Sequence, residues 1–263
     1  MTERPPSAAR PTSPETGEDG IDLSIVIPAY NEERRIVPTL NAIAAYLART
    51  ATKAEILVVD DGSADGTAAR VRELAAAIPG LRLLSNGRNR GKGFSIRHGF
   101  SESHAPLVLL TDADLSTPIE EIEKLTPALR DGKAGVAVGS RALAPELVEV
   151  RQGRLRQTMG KCFNLVVRTL TGLSIRDTQC GFKLIDRRRL TPVFALARID
   201  HFSYDVEILY LAQRRGIRIA EIPVIWRNSP NSRVGILGDP LRMFIDVVRI
   251  VVRDRAGRYR EPS

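Results

Sequence analysis

The stretch "LLTDADLSTP", residues 109–118, runs an apolar segment straight into two carboxylates, Asp112 and Asp114. A short apolar run bounded by turn-forming residues reads as a buried strand. The two acids therefore mark a strand's carboxyl end. Two earlier segments have the same form: "LSIVIPAY" (23–30) leads into "NEE", and "AEILVVDDGS" (54–63) carries Asp60 and Asp61 at its close. Between the strands lie stretches with helical spacing, "EERRIVPTLNAIAAYLART" (32–50), "DGTAARVRELAAAI" (65–78) and "GKGFSIRHGFSES" (91–103). The strand "LRLLSN" (81–86) separates the second and third helices, and "PLVLLTDAD" (106–114) is the fourth strand. Strands alternating with helices at this spacing predict an α/β fold with a mostly parallel central sheet, helices on both faces and ligands beyond the strands' carboxyl ends. Three of those ends carry polar clusters, so a site is expected along that edge.

Downstream the pattern predicts a strand "GVAVGSR" (135–141), a basic helix at 151–170, a loop "SIRDTQCGFKLIDRR" (174–188), a helix "YDVEILYLAQRRG" (204–216) and a strand "IRIAEIPVIWR" (217–227). The organisation expected is a disordered tail over 1–20, one domain over 21–238, and an amphipathic C-terminal helix with a basic tail over 239–263.

With 263 residues, 43% of them hydrophobic, the chain can bury a sizeable core. No apolar run is long enough to cross a bilayer, and the N-terminus lacks the apolar centre of a secretory signal. Two cysteines, Cys162 and Cys180, with no CxxC pair and no nearby His cluster, argue against a zinc site or a disulfide framework and fit a reducing cytoplasm. The net charge of +8 suits an anionic partner. Aromatics are too sparse among the basic residues for a nucleic-acid surface. The GxxxxGK[ST] spacing is absent, which disfavours a P-loop NTPase, and a sugar nucleotidyltransferase would need a Gly-rich loop where "PAYNEE" stands.

The clusters permit specific chemistry. Two carboxylates held close repel each other unless a cation lies between them, and hard oxygen ligands select Mg²⁺ or Mn²⁺. The same spacing equally fits Asp114 as the cap of a helix starting near Pro118, with Asp112 a solvated turn residue. Asp60 or Asp61 suits the imide N–H of a base, while Asp65, Gly66 and Thr67 read as a turn and helix cap. In "PAYNEE", Asn31 is a candidate N-cap. The functional alternative sets Pro28 and Tyr30 against a base and Glu32 near a ribose. In "NRGKG", Gly91 and Gly93 allow close backbone approach and Lys92 suits a diphosphate.

Taken in order, "SIVIPAYNEE", "EILVVDDGSADGT", "NRGKG", "DADLSTP", "GSR", "DTQCGFK" and "YDVEIL" resemble family 2 inverting glycosyltransferases of the GT-A, Rossmann-like fold. The later motifs resemble the branch that acts on polyprenyl phosphates: dolichyl-phosphate β-glucosyltransferases first, dolichol-phosphate mannose synthases next. The resemblance covers about residues 22–250. It implies a nucleotide-sugar donor, a polyprenyl phosphate acceptor and Mg²⁺ or Mn²⁺. Asp112 and Asp114 would bind the cation and diphosphate, Asp60 or Asp61 the base, and Pro28, Tyr30, Glu32, Lys92 and Ala113 the rest of the donor. Gln179 to Lys183 would border the sugar and acceptor, so that Asp112, Asp114, Arg156 and Gln179 form the catalytic group. Asp205 and Glu207 match an acidic position of the family, and both also suit a helix N-terminus.

In the basic helix Arg156, Gly160 and Asn164 fall on one face, where mannose synthases resembling this chain carry Arg, Ser and Asn toward a lipid phosphate; Gly160 replaces the Ser. Arg141 and Lys183 are further acceptor-phosphate candidates, and Arg151, Arg154 and Lys161 add charge. In "DPLRMFIDVVRIVVR" (239–253), Asp239 and Pro240 read as N-cap and first helical residue. Arg242, Asp246, Arg249 and Arg253 make one polar stripe, suiting either docking on the domain or an anionic membrane surface. A peripheral location at the cytoplasmic face of a membrane is expected. Glucose from UDP-glucose is the expected transfer; mannose from GDP-mannose, or a soluble acceptor, is the alternative.

Overall fold

The computed structural model describes residues 20–130, 132–150, 154–227 and 238–259; the side chains of 154–157, 161 and 238–240 lie outside the described set. The expected tail, and the side chains of Arg151, Arg154, Arg156, Lys161, Asp239 and Pro240, fall outside it.

The strands are β1 (Leu23–Ala29), β2 (Ala54–Asp60), β3 (Leu81–Ser85), β4 (Leu107–Leu110), β5 (Val136–Ser140), β6 (Val148–Val150), β7 (Lys183–Asp186), β8 (Ile219–Pro223) and β9 (Trp226–Arg227). The helices are α1 (Glu33–Thr50), α2 (Thr67–Ala75), α3 (Lys92–Ser101), α4 (Ile122–Arg130), α5 (Arg154–Thr171), α6 (Arg187–Leu196), α7 (Tyr204–Arg214) and α8 (Gly238–Arg255). Seven strands form one sheet in the order β3-β2-β1-β4-β7-β5-β8, and β6 pairs with β9 in a small second sheet. All pairs in the main sheet are parallel except those of β7, which runs antiparallel to both β4 and β5.

Strand residues alternate between two apolar layers. Val26, Leu57, Val59, Val108 and Leu110 face the layer of α3, α6, α7 and α8; Ile25, Ile27, Ile56, Val58 and Leu109 face that of α1 and α4. In α1, Ile36, Leu40 and Ile43 recur at steps of four and three and are fully buried against the second layer.

Three expectations change. The 174–188 segment is not a loop throughout: it contains β7 and the start of α6. Four residues, "KLID", are too few to show a period, and a lysine at the first of them hides the strand. Strand 217–227 divides after Pro223, and its end leaves the main sheet for β6. The fourth strand stops at Leu110, so Asp112 and Asp114 stand on the loop beyond it.

Candidate active site

The carboxyl ends of β1, β2 and β4 meet as neighbours in the sheet, and side chains stitch their loops together. Asn31 adopts a left-handed φ of 54°, a conformation that asparagine tolerates better than most residues. Its N–H donates to Ser63 Oγ at 2.9 Å and its Oδ1 accepts from Ala64 N at 2.8 Å. Asn31 therefore ties the β1 loop to the β2 loop instead of capping α1, whose N-cap position is Glu32. The Glu32 carboxylate takes the Arg35 fork, with Nε at 2.5 Å and Nη2 at 2.6 Å. Arg35 Nη1 in turn stands 3.6 Å from Asp114 Oδ2. Pro28 is half-buried and Tyr30 is exposed at the rim.

The two acids at the end of β2 differ in commitment. Asp61 accepts from Asn86 Nδ2 at 2.7 Å, Arg90 N at 2.9 Å and Gly91 N at 2.8 Å, so both of its oxygens hold the loop that leads into α3. Asp60 accepts from Ser63 N at 3.2 Å through Oδ1. Asp65 accepts from Thr67 N, which makes the expected turn at the start of α2.

Asp114 is neither free nor a helix cap: its Oδ1 accepts from Ser116 N at 3.1 Å, closing a short turn centred on Leu115, which has a φ of 47°. Ala113 is buried, and its carbonyl accepts from Thr39 Oγ1 at 2.8 Å, anchoring the acidic loop to α1. Asp112 Oδ1 accepts from Lys92 Nζ at 2.6 Å. Burial pushes the Asp112 carboxyl up, but Lys92, Lys183 and Arg141 more than offset it, and the net direction is down. Burial disfavours the Lys92 ammonium, yet Asp112, Asp205 and Asp114 together hold it above the usual lysine range. The repulsion expected between two bare carboxylates is thus relieved by Lys92 on one and Arg35 beside the other.

Two more ion pairs sit beneath. Lys183, on β7, is 1% exposed, and its ammonium donates to Asp205 Oδ1 and Cys180 O, both at 2.5 Å. This corrects the expectation for Lys183: it is locked into the core at the sheet's edge and does not face an acceptor phosphate. Burial outweighs Lys183 and Lys92 at Asp205 and leaves that carboxyl raised. Arg141 forks onto Asp177, with Nε to Oδ2 and Nη2 to Oδ1 both at 2.7 Å, and lies over the Trp226 ring at 5.3 Å. Burial alone would raise Asp177, but Arg141 takes it below its ordinary value. Glu207 is fully buried and accepts from Arg198 N, Ile199 N and Tyr259 OH, at 2.8, 2.7 and 2.5 Å. The acids at the start of α7 thus serve as internal anchors. Burial pushes the Cys180 thiol up to about 11, which leaves no thiolate nucleophile at neutral pH.

Of the remaining candidates, Asn164 Oδ1 accepts from Thr178 Oγ1 at 2.9 Å, linking α5 to the "DTQCGFK" segment, and Gln179 is half-buried there. Arg156 belongs to α5, one turn before the open position of Gly160. Arg35, Asp177 and Asn86 were missed by sequence reasoning. Arg35 had a local signal, since it stands three residues after Glu32 on a helix; the partners of the other two are distant in sequence.

Among the described residues no group of three or more His, Cys, Asp and Glu converges as a metal cage. Two carboxylates on one loop still fit a cation that takes its other ligands from a diphosphate and water, the usual manner of Mg²⁺. Gly181 backs this arrangement: a Cβ there would overlap the Asp112 carboxylate. Gly181→Ala is expected to lower turnover about 10²-fold, since displacements near 1 Å cost that much. Its melting temperature should stay near that of the wild type. Unchanged turnover would show that the exact seat of Asp112 is immaterial.

The family model described as "Glycosyl transferase family 2" matches residues 24–192. A dolichyl-phosphate β-glucosyltransferase of Trichomonas vaginalis is 38% identical over 246 residues, covering 90% of this chain and 72% of that protein. The dolichyl-phosphate β-glucosyltransferase of Homo sapiens is 34% identical, over 90% of this chain and 77% of its own. In fold, the chain resembles glucosyl-3-phosphoglycerate synthase from Mycobacterium tuberculosis in complex with UDP, with a TM-score of 0.66, 20% identity, and coverage of 100% of this chain and 88% of that one. The same enzyme with Mn²⁺, UDP-glucose and phosphoglyceric acid superposes with a TM-score of 0.62 at 20% identity, over 94% and 82% of the two chains. The motifs on the sheet edge, the GT-A-like architecture and these relatives agree: the chain belongs to glycosyl transferase family 2.

Proposed function

We propose that this protein transfers glucose from UDP-glucose to dolichyl or another polyprenyl phosphate, with inversion, giving a β-linked lipid-phosphate sugar. The observation that carries the reading is the identity of 31–38% to dolichyl-phosphate β-glucosyltransferases over most of the chain. The placement of Asp112 and Asp114 at the sheet's carboxyl edge supports it.

Asp112 and Asp114 would hold a Mg²⁺ or Mn²⁺ ion, which when bound supplies charge stabilisation to the departing nucleoside diphosphate. Lys92, already beside Asp112, places a second cationic group at that position. Asp60, whose Oδ1 alone is engaged by the Ser63 amide, accepts from the base, and Pro28 and Tyr30 border it. Arg156 and Asn164 on α5 and Arg141 align the acceptor phosphate for in-line attack on the anomeric carbon. A phosphate monoester has its second pKa near ~6 and is largely dianionic at neutral pH, so no general base is required. The buried acids agree with this: Asp205 is bound to Lys183 and Glu207 to three donors.

Incubation with Mn²⁺, a polyprenyl phosphate and labelled UDP-glucose should place label in an organic extract; label from GDP-mannose instead would change the sugar. Label confined to the aqueous phase, with nucleotide-sugar binding intact, would mean a soluble acceptor.

No helix among the described residues is long and apolar enough to cross a membrane. The inner face of α8 packs Met243, Val247 and Ile250 against the domain, and Asp246 goes inward with them, paired to Arg249 at 3.2 Å. The expected polar stripe is therefore split, since Asp246 faces the protein. The outer face exposes Leu241, Phe244, Ile245, Val248 and Val252, with Leu165 of α5 also exposed. This stripe, flanked by Arg242 and Arg249, would lie on an anionic membrane surface at its cytoplasmic face. Leu241→Ser with Val252→Ser should weaken co-sedimentation with anionic vesicles by about tenfold or more, since each side chain contributes roughly 1.5–3 kcal/mol when fully buried. Undiminished sedimentation would remove α8 from the membrane contact.

A further inference from the structure

A groove of about 710 Å³ runs along the outer side of α3, where α6 and the loop after it pack against it. Its cations are Arg90, Arg97, Arg187 and Arg198, with His98 beside them, and no carboxylate lines it. Its floor is apolar: the Phe100 and Phe194 rings stack with centroids 3.6 Å apart. Volume in this range suits a small ligand.

The four guanidinium groups are unequally satisfied. Arg97 reaches out of the groove to Asp200 and, at 2.6 Å, to the Ile199 carbonyl. Arg198 Nη1 meets only carbonyls, those of Ala195 at 3.2 Å and Ala197 at 3.5 Å. Arg90 stacks on the Phe94 ring at 3.4 Å, which orients its charge without neutralising it. The Arg187 Nε is buried and has no hydrogen-bond partner. A buried polar donor left unmade costs about 1–3 kcal/mol, and more when charged. Several guanidiniums around one space, one with an idle buried donor and none facing an acid across it, describe a receptor for an anion. Guanidinium forks match phosphate oxygens in pairs.

His98 adds a further contact. Asn86 Nδ2 donates to Asp61 and Ser95, so Asn86 Oδ1 is the atom turned to His98 Nδ1, at 2.8 Å. This bond makes Nδ1 the donor and leaves Nε2 as the ring's other polar atom.

We propose that this groove is a second anion site, separate from the Asp112 loop, that binds a phosphate-bearing group, either a soluble diphosphate or the headgroup of an acidic lipid. It does not depend on the reaction assigned above. Through Asn86 and the Asp61 contacts to Arg90 and Gly91, the groove adjoins the loop that sets Lys92 in place.

The test is calorimetric titration of pyrophosphate into the wild type, Arg187→Gln/Arg198→Gln, the milder Arg198→Gln alone, and Lys92→Gln, with thermal melting to confirm folding. A second arm measures co-sedimentation with phosphatidate vesicles. Binding at least tenfold weaker in the double variant, partly weakened in the single one and present in Lys92→Gln supports the groove. If vesicle binding falls in parallel the ligand is a lipid headgroup; if only pyrophosphate binding falls it is a soluble anion. Pyrophosphate affinity unchanged in both arginine variants, or abolished in Lys92→Gln alone, overturns the proposal.

Discussion

Asp112→Asn should lower the transfer of sugar to lipid phosphate about 10³-fold, the upper end of what one electrostatic stabiliser of a developing charge supplies. The loss should fall mainly on kcat, because in the proposed role the carboxylate would act where charge accumulates on the departing diphosphate. An amide retains the shape but not the charge, so a cation held as proposed would lose one of two protein carboxylates while Lys92 loses its 2.6 Å partner. Lys92→Gln separates these effects: it leaves Asp112 and Asp114 intact, so its activity should fall less, and excess Mn²⁺ should not rescue Asp112→Asn. Steady-state kinetics with lipid extraction decides the matter. Activity in Asp112→Asn within tenfold of the wild type would dismiss Asp112 from the chemistry.

The largest effect on stability is expected at Lys183→Met, which strands Asp205 in the core. Removing one partner of a buried pair costs about 3–5 kcal/mol, which for a domain of this size is a melting-temperature drop of roughly 6–20 °C. The loss should depend on pH in a defined direction. Asp205 already has a raised carboxyl from burial, with Lys183 opposing the rise; without Lys183 it rises further. A carboxyl raised on folding favours the folded state when protonated, and that contribution fades as pH climbs through its folded value. The gap between variant and wild type should therefore be widest at neutral pH and narrow as the pH falls toward the ordinary carboxylate range. Lys183→Met/Asp205→Leu removes both charges and should recover much of the loss. A double variant no more stable than the single one would show that the pair is not what holds β7.

The alternation of strand and helix was readable because the early strands are apolar and closed by turn residues; β1 and β2 end where the spacing implied, while the acids after β4 fall on the loop beyond it. β7 was not readable. Its four residues carry charge at both ends, and what makes Lys183 tolerable in a strand is Asp205, 22 positions on. The same reason hid the roles of Asp61 and Glu207: local sequence shows one acid at a strand end and the other near a helix start, whereas their donors include the distant Asn86 and Tyr259. A local pattern announces where a polar group stands on an element. Long-range pairing then decides whether it faces solvent, substrate or the core.

The bond from Tyr259 to Glu207 ties the segment after α8 into the interior of the domain. Glu207 fixes Arg198 and Ile199 by their amides, and the next carbonyl, that of Asp200, accepts from Gly93 at 2.7 Å and from Phe94, at the head of the helix that begins with Lys92. Tyr259 is 7% exposed. Shortening the protein to residue 258 would leave a carboxylate oxygen unfilled inside the molecule, two links from the backbone that carries Lys92. For anyone engineering this protein, Tyr259 is an interior part of the domain, and any cutting point belongs after it.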